Sequence, residues 1–296
     1  MTTGITPDTF YEKSYLSVAE FKDAPTSIDY DNLVVGGNAA AQDAELARVI
    51  LRASSYMDEY LNQSVVATQY TETQRTRITP QGWISLHPNC SPIISLESFS
   101  YGPYPGSLTP IQDPSYAWFE NQQLIIPLSQ IQTNWSSQGP LGFGGGLGAT
   151  SIVFTEYQYV AGFVNTVTVT AVAAASSLIV ADGTGIVAGQ RLRIFDGSKS
   201  EQVTVASTYT YGSTTVPLVT PLVYSHDPGA TIGNLPNAIK QACILITTAF
   251  IKARGDNSMT MQITTQPTSS LISSANRYGN EIALALDMVD KYRRIR

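Results

Sequence analysis

A strand-to-helix junction in this chain is held open by a long β-rich run. Residues 155–163, TEYQYVAGF, read as a strand that ends on Gly162-Phe163, yet the next helical pattern, LPNAIKQACILITTAFIKAR, starts only at Leu235. The intervening residues carry five short strand patterns, TVTVTAV, SSLIVAD, QRLRIF, EQVTVAS and TTVPLVT. The turn signals DGTG, DGSK, TYGS and DPGA divide them. Strands this short and this closely spaced predict a compact β-barrel or small sandwich. Both ends of the run fall at one junction, which is the condition under which a chain tolerates an inserted domain. The expected organisation is a body of residues 1–163 and 234–296 with a β-module, 164–233, let into it.

The flanks of that module mix helix and strand signals, so the fold class expected is α+β. Ser17-Val-Ala-Glu20 fits a capping box, and Pro25 forbids the helix it opens from running on. In DAELARVILRASSYMDEYLNQ, the residues Leu46, Val49, Ile50, Ala53, Met57, Tyr60 and Leu61 form one stripe at helical spacing. Residues 65–163 change to short runs broken by Pro and Gly: ATQYTETQRTRIT, GWISL, IISLESFSYG, AWFENQQLIIPL and TSIVFTEYQYV read as strands. After the module, Pro236 suits a first helical turn, and Ile239, Ala242, Cys243, Ile246, Ala249, Phe250 and Ala253 mark a buried face. Gly255 is a natural stop. Residues 256–280 form a Ser/Thr/Gln-rich connection. The last segment, NEIALALDMVDKYRRIR, is amphipathic with Ile282, Leu286 and Val289 on one side and a basic end. About four helices are expected to pack on Leu46, Val49, Ile50, Met57, Ile239, Ile246 and Phe250.

Composition narrows the function. Of the 296 residues 43% are hydrophobic and only 14% charged, the balance being Ser, Thr, Gln, Asn, Gly and Tyr, a surface suited to polar contacts between subunits. A net charge of −6 argues against a general nucleic-acid binder, because phosphates are held mainly by Lys and Arg. The N-terminus has no basic region followed by an apolar core, and no apolar run approaches the roughly eighteen residues that span a bilayer. No membrane association is expected, and synthesis in the cytoplasm is.

Chemistry-bearing patterns are sparse. His87 and His226 are the two histidines, and neither sits in a metal-ligand spacing with Cys90 or Cys243. His226, beside Asp227, reads as a hairpin residue. His87-Pro-Asn-Cys90 places an imidazole near a thiol, but in a proline-bearing turn and without a third orienting group. The Gly-rich SSQGPLGFGGGLGAT lacks a following Gly-Lys-Ser/Thr and precedes a strand, so it reads as a mobile loop and not a phosphate cradle. No GxSxG occurs. Neither an enzyme nor a bound cofactor or metal is expected. Tyr209, Tyr211 and Tyr224 in the module could serve as aromatic platforms for a receptor or carbohydrate, or as cross-strand packing pairs.

The order of elements resembles a known family. A capped helix after YLSVAEFK, a longer one in LARVILRASSYMDEYLNQ, hairpins containing HPNCSPIISLESFSYG, a strand ending YQYVAGF, a helix opening LPNAIKQA and a tail near KYRRIR together resemble the head–tail connector, or adaptor, proteins of long-tailed bacteriophages. In that family the aromatic-Gly strand end runs almost directly into the LPxxIKxA helix, so the 164–233 module interrupts a typical passage. The resemblance covers residues 14–163 and 234–296 and leaves the module unexplained; the long 256–280 connection departs from the pattern. It implies a structural virion protein at the neck: a ring of about twelve copies beneath the portal protein. Such a ring extends the DNA channel without gripping DNA and offers a surface to a tail-side stopper or tail terminator. It also implies that residues 281–296 dock on the portal, with Lys291, Tyr292, Arg293, Arg294 and Arg296 as the polar contacts. The same cations read alone would compensate a helix dipole. The alternative role is a tail or surface virion protein whose β-module binds receptor or carbohydrate.

Overall fold

The computed structural model describes residues 6–7, 13–79, 82–111, 113–120, 123–127, 152–255 and 281–294. The Gly-rich loop at 136–150, the connection at 256–280 and Arg296 lie outside the described residues. The fold is α+β, and the chain divides into two compact units. The first comprises Ala67–Gly162 with a short N-terminal strand; the second comprises the remaining described residues up to Val66 and from Phe163 on.

The first unit holds β1 (Thr6–Pro7), β2 (Thr68–Arg77), β3 (Trp83–Leu86), β4 (Ile93–Tyr104), β5 (Ser107–Pro110), β6 (Trp118–Glu120), β7 (Gln123–Pro127) and β8 (Ile152–Ala161). They form a five-stranded sheet in the order β1-β2-β8-β4-β5 and a three-stranded sheet in the order β3-β7-β6. Because side chains alternate along a strand, Tyr157 and Tyr159 of β8, Tyr70 of β2 and Phe99 and Tyr101 of β4 enter one core. Ile84 and Leu86 of β3 with Leu124 and Ile126 of β7 meet them there. The run AWFENQQLIIPL, expected as one strand, is two: Glu120 pairs with Gln123, so the run folds back on itself as β6 and β7. Alternation alone does not mark such a reversal when its residues are polar but not Gly or Pro.

In the second unit α1 (Val18–Asp23) carries the expected box. Ser17 Oγ accepts the Glu20 N–H at 3.1 Å and Glu20 Oε2 accepts the Ser17 N–H at 3.0 Å. Helix α2 (Ala39–Leu61) is capped at Asn38, whose Oδ1 accepts the Ala41 N–H at 2.9 Å, and it ends on Asn62 in the left-handed region. Helix α3 (Asn237–Gly255) follows Pro236. Residues 281–289 are helical, and a 3-10 turn, Asp290–Tyr292, closes the segment. Leu46, Val49, Ile50, Met57, Ile239 and Ile246 are buried in one core with Ala242, Cys243, Ala285 and Val289, and Phe250 packs half-buried against it. The inward side of the last segment is therefore Ala285 and Val289, with Ile282 and Leu286 at its margin. Both cysteines are buried, and they are not joined in a disulfide.

The same unit contains β9 (Asn165–Thr170), β10 (Ser177–Val180), β11 (Arg191–Phe195), β12 (Glu201–Thr204), β13 (Thr215–Pro217) and β14 (Thr231–Gly233). All are antiparallel, in the order β12-β11-β14-β9-β10-β13. A bridge between Val205 and Leu218 joins the ends of the two outer strands, so the sheet curls round its own core of Leu178, Val180, Leu192, Ile194, Val203 and Ile232 and leaves little open edge. Its two chain ends meet: the Val164 N–H donates to Asn234 Oδ1 at 2.8 Å, and the Asn234 N–H donates to Val164 O at 3.0 Å. Gly233 is what permits this approach, since a Cβ there would lie 2.2 Å from Val164 O. Asn165 Nδ2 donates to Ser14 O at 2.8 Å, Lys13 pairs with Asp182 at 2.8 Å, and Lys240 Nζ lies over the Phe195 ring at 5.9 Å. Lys240 also pairs with Glu20, which is nearly buried. These contacts tie the sheet to α1 and α3.

Candidate functional site

The sequence points to the basic C-terminal segment, and the structure lays that segment along the end of α2. The apolar spacing of residues 281–289 seats Ala285 and Val289 in the core, which fixes where the following turn emerges. Tyr60 Oη donates to Asp290 Oδ1 at 2.8 Å, Gln63 Nε2 donates to Tyr292 O at 2.8 Å, and the Arg294 N–H donates to Leu61 O at 3.0 Å. The last of these satisfies a carbonyl that the end of α2 would otherwise leave unpaired. Asp290 holds the Tyr60 hydroxyl above its ordinary titration range, chiefly through that hydrogen bond.

Four of the five candidate contacts, Lys291, Tyr292, Arg293 and Arg294, lie among the described residues. Lys291 is exposed, with Nζ 4.9 Å from the centre of the Tyr292 ring. Tyr292 is half-buried and meets Phe163 edge-on at 6.1 Å. Arg293 is exposed, its guanidinium 4.9 Å over the Tyr60 ring and 4.0 Å from Asp290. Arg294 is half-buried at the end of α2. Exposed cations resting on aromatic faces gain about 0.5–1 kcal/mol each and keep their outer N–H groups available. The sequence reading missed Tyr60, Gln63 and Asp290 as the supports of these residues. Tyr60 had been put on the buried stripe of α2, and nothing in the spacing says that its hydroxyl reaches Asp290.

A second polar cluster lies inside the helical core. Tyr15 Oη donates to Asp58 Oδ1, and the Val65 N–H lies 3.2 Å from Tyr15 Oη and 3.3 Å from Asp58 Oδ1. Burial pushes the Asp58 carboxyl up to about 7, against the pull of its two hydrogen bonds. The same burial, with Asp58 beside it, drives the Tyr15 hydroxyl well above its ordinary value. The cluster ties the segment before α1 to the chain leaving α2. Nothing in the sequence spacing of Tyr15, Asp58 and Val65 announces it.

The patterns weighed for catalysis resolve into structural roles. His87 is exposed and Cys90 buried. Glu72, nearly fully buried on β2, accepts from Asn89 Nδ2 at 2.7 Å, Tyr157 Oη at 3.0 Å, Tyr159 Oη and the Asn89 N–H at 3.0 Å. The Cys90 N–H donates to Tyr159 Oη at 3.0 Å. A buried carboxylate thus pins the HPNC turn through neutral donors. Burial, with the Glu72 charge adding to it, pushes the Tyr157 hydroxyl far up; for Tyr159 burial again leads, followed by Cys90 and Glu72. Tyr209 is buried and donates to Ser213 O at 2.7 Å within its own turn, while Tyr211 and Tyr224 are exposed in loops. His226, expected as a hairpin residue, is instead fully buried between Asp196 and Glu201. Among the described residues no group of three or more His, Cys, Asp or Glu is arranged to hold a metal ion, and no helix is long and apolar enough to cross a membrane.

No protein-family model matches the chain, and no curated protein matches it. Among solved structures, it is similar to a chain in the neck of an empty gene transfer agent particle computed with C6 symmetry: 12% identity, TM-score 0.40, covering 100% of this chain and 97% of the other. It is also similar to a chain in the virion of a native gene transfer agent particle: 12% identity, TM-score 0.36, covering 99% and 96%. Likenesses of that order fix neither fold nor role.

Proposed function

We propose that the chain is a structural virion protein, a head–tail connector that forms a ring under the portal, extends the DNA channel and presents the surface on which the tail side attaches. Residues 1–163 and 234–296 are the connector and 164–233 an added β-module. The observation that carries this reading is the junction: Phe163 and Leu235 both pack in the helical core, and Val164 and Asn234 close the module at its base. Phe163 and the start of the LPNAIK helix therefore share one core although the module separates them in sequence, as the resemblance to connectors requires. The ring copy number of about twelve comes from the resemblance alone. DNA passes through without specific binding, in keeping with the net charge of −6.

Lys291 and Arg293 are the docking contacts in this proposal, because both are exposed on a segment anchored by Ala285 and Val289. Guanidinium and ammonium groups on a rigid turn suit partner carboxylates. The test is co-sedimentation with the portal protein of the same particle. Truncating residues 281–296 would strip Ala285 and Val289 from the core, so the cleaner variant is the double reversal Lys291→Glu, Arg293→Glu. We expect the intact chain to bind at about one copy per portal subunit and the variant to bind at least about tenfold more weakly. No binding by the intact chain sinks the connector reading and favours the alternative, a tail or surface protein whose module binds receptor or carbohydrate. The exposed Tyr211 and Tyr224 favour that second reading.

A further inference from the structure

We infer that Asp196, His226 and Glu201 form a pH-sensitive clamp that holds Val223 and Tyr224 in place only while both ring nitrogens of His226 carry protons. The His226 side chain is wholly buried, with Nδ1 3.2 Å from Asp196 Oδ2 and Nε2 2.8 Å from Glu201 Oε1. Ionised carboxylates only accept hydrogen bonds, so both contacts are satisfied together by the imidazolium and by neither neutral tautomer. Loss of one proton leaves a nitrogen lone pair facing a carboxylate oxygen out of reach of water, an arrangement that burial makes unfavourable.

Glu201 links the ring to the loop. Its Oε2 accepts the Val223 N–H at 3.0 Å, and its Oε1, the oxygen that faces His226, accepts the Tyr224 N–H at 3.1 Å. Burial raises the Glu201 carboxyl, but the Val223 and Tyr224 amides and His226 outweigh it and hold the group below its ordinary range. The His226 N–H donates to Ala171 O at 2.9 Å and Ser225 Oγ accepts the Ala173 N–H at 3.0 Å, so the neighbouring turn is tied to the same loop. The surrounding elements also carry charged groups: Lys199 on the 3-10 turn after β11, Asp227 after His226, Asp23 of α1 against Gly197 and Lys240 over Phe195. Asp196 and Glu201 are the two that bond the ring. Val223 and Tyr224, the residues they secure, are 68% and 44% exposed, while the Val219 and Leu222 amides are held separately by Thr204 O and Ala175 O.

The chain has two histidines, and the exposed His87 is the internal reference. The experiment is an NMR titration of the intact, 15N-labelled protein, reading the ring nitrogens of both histidines and, in parallel, the exchange protection of the Val223 and Tyr224 amides normalised to intrinsic rates. As pH rises, protection at Val223 and Tyr224 should fall about tenfold or more, the loss that corresponds to one charge-assisted hydrogen bond, in step with His226 and not with His87. Protection that stays unchanged as the His226 ring loses its second proton overturns the inference. The wild-type titration decides by itself. His226→Gln adds a control in which protection is low and independent of pH; full protection in that variant also overturns the clamp.

Discussion

Asp58 offers the sharpest test of the packing described above. Replacing it with Asn keeps an oxygen for the Tyr15 hydroxyl and the Val65 N–H but removes the ionisation. The wild-type carboxyl titrates near 7 in the folded chain and near 3.8 when unfolded. Between those values the folded state binds the extra proton, so stability must fall as pH rises. The contribution of neutral Asp58 is fully present below about pH 3.8 and is lost as pH climbs through about 7. At about 1.36 kcal/mol per pH unit the gap sets a ceiling of about 4 kcal/mol. Asp58 is half-buried, not sealed, and solvent screening reduces the expectation to about 2 kcal/mol. The assay is urea unfolding of wild type and Asp58→Asn at pH 4, 6 and 8, compared as the difference between the two chains so that every other titrating group cancels. Near pH 4 the two should be about equally stable; at pH 8 the variant should be the more stable. A difference that stays flat from pH 4 to 8, or that grows in favour of wild type, refutes the account of Asp58 as a carboxyl whose charge is opposed by burial.

Two further substitutions probe the helical core and the approach of Gly233 to Val164. Ile246→Ala removes a fully buried side chain from between α2 and α3 and should cost about 2–5 kcal/mol, read by chemical denaturation; a loss under about 1 kcal/mol would mean that the core is not packed as described. Gly233→Ala forces a Cβ onto Val164 O and should destabilise the chain by about 2 kcal/mol or more. It is read as a lowered melting temperature together with faster exchange of the Val164 and Asn234 amides. An unchanged melting temperature would show that these two segments do not approach so closely.

Local signals carried much of the fold because their causes are local. The Ser17–Glu20 box, the stop before Pro25, the stripe from Leu46 to Met57 and the start of α3 after Pro236 depend on residues within about four positions of each other, the reach of a helical turn. The strands of the 164–233 run were legible for the same reason: short alternating runs between Asp-Gly and Pro-Gly turns have few other ways to fold. Where local signals were weak the reading slipped. The hairpin inside AWFENQQLIIPL has no Gly or Pro at its reversal, and the three-residue β14 is too short to alternate.

What the chain does with its polar residues was decided by tertiary structure. Lys291 and Arg293 were visible as a basic end, but their seats over Tyr292 and Tyr60 exist only because Ala285 and Val289 dock the segment on α2. His226 looked like a turn residue beside Asp227, yet the curl of the six-stranded sheet puts Asp196 and Glu201 on either side of its ring. Asp58, Tyr15 and Val65, like Glu72, Asn89, Tyr157 and Tyr159, come together from distant strands and helices. The element types, the α+β class and the run of short strands after Phe163 were legible in the sequence, because propensity, capping and periodicity act over a few residues. Only the folded chain decided which buried charges meet and which cations remain at the surface, because those contacts join residues that the sequence keeps dozens to hundreds of positions apart.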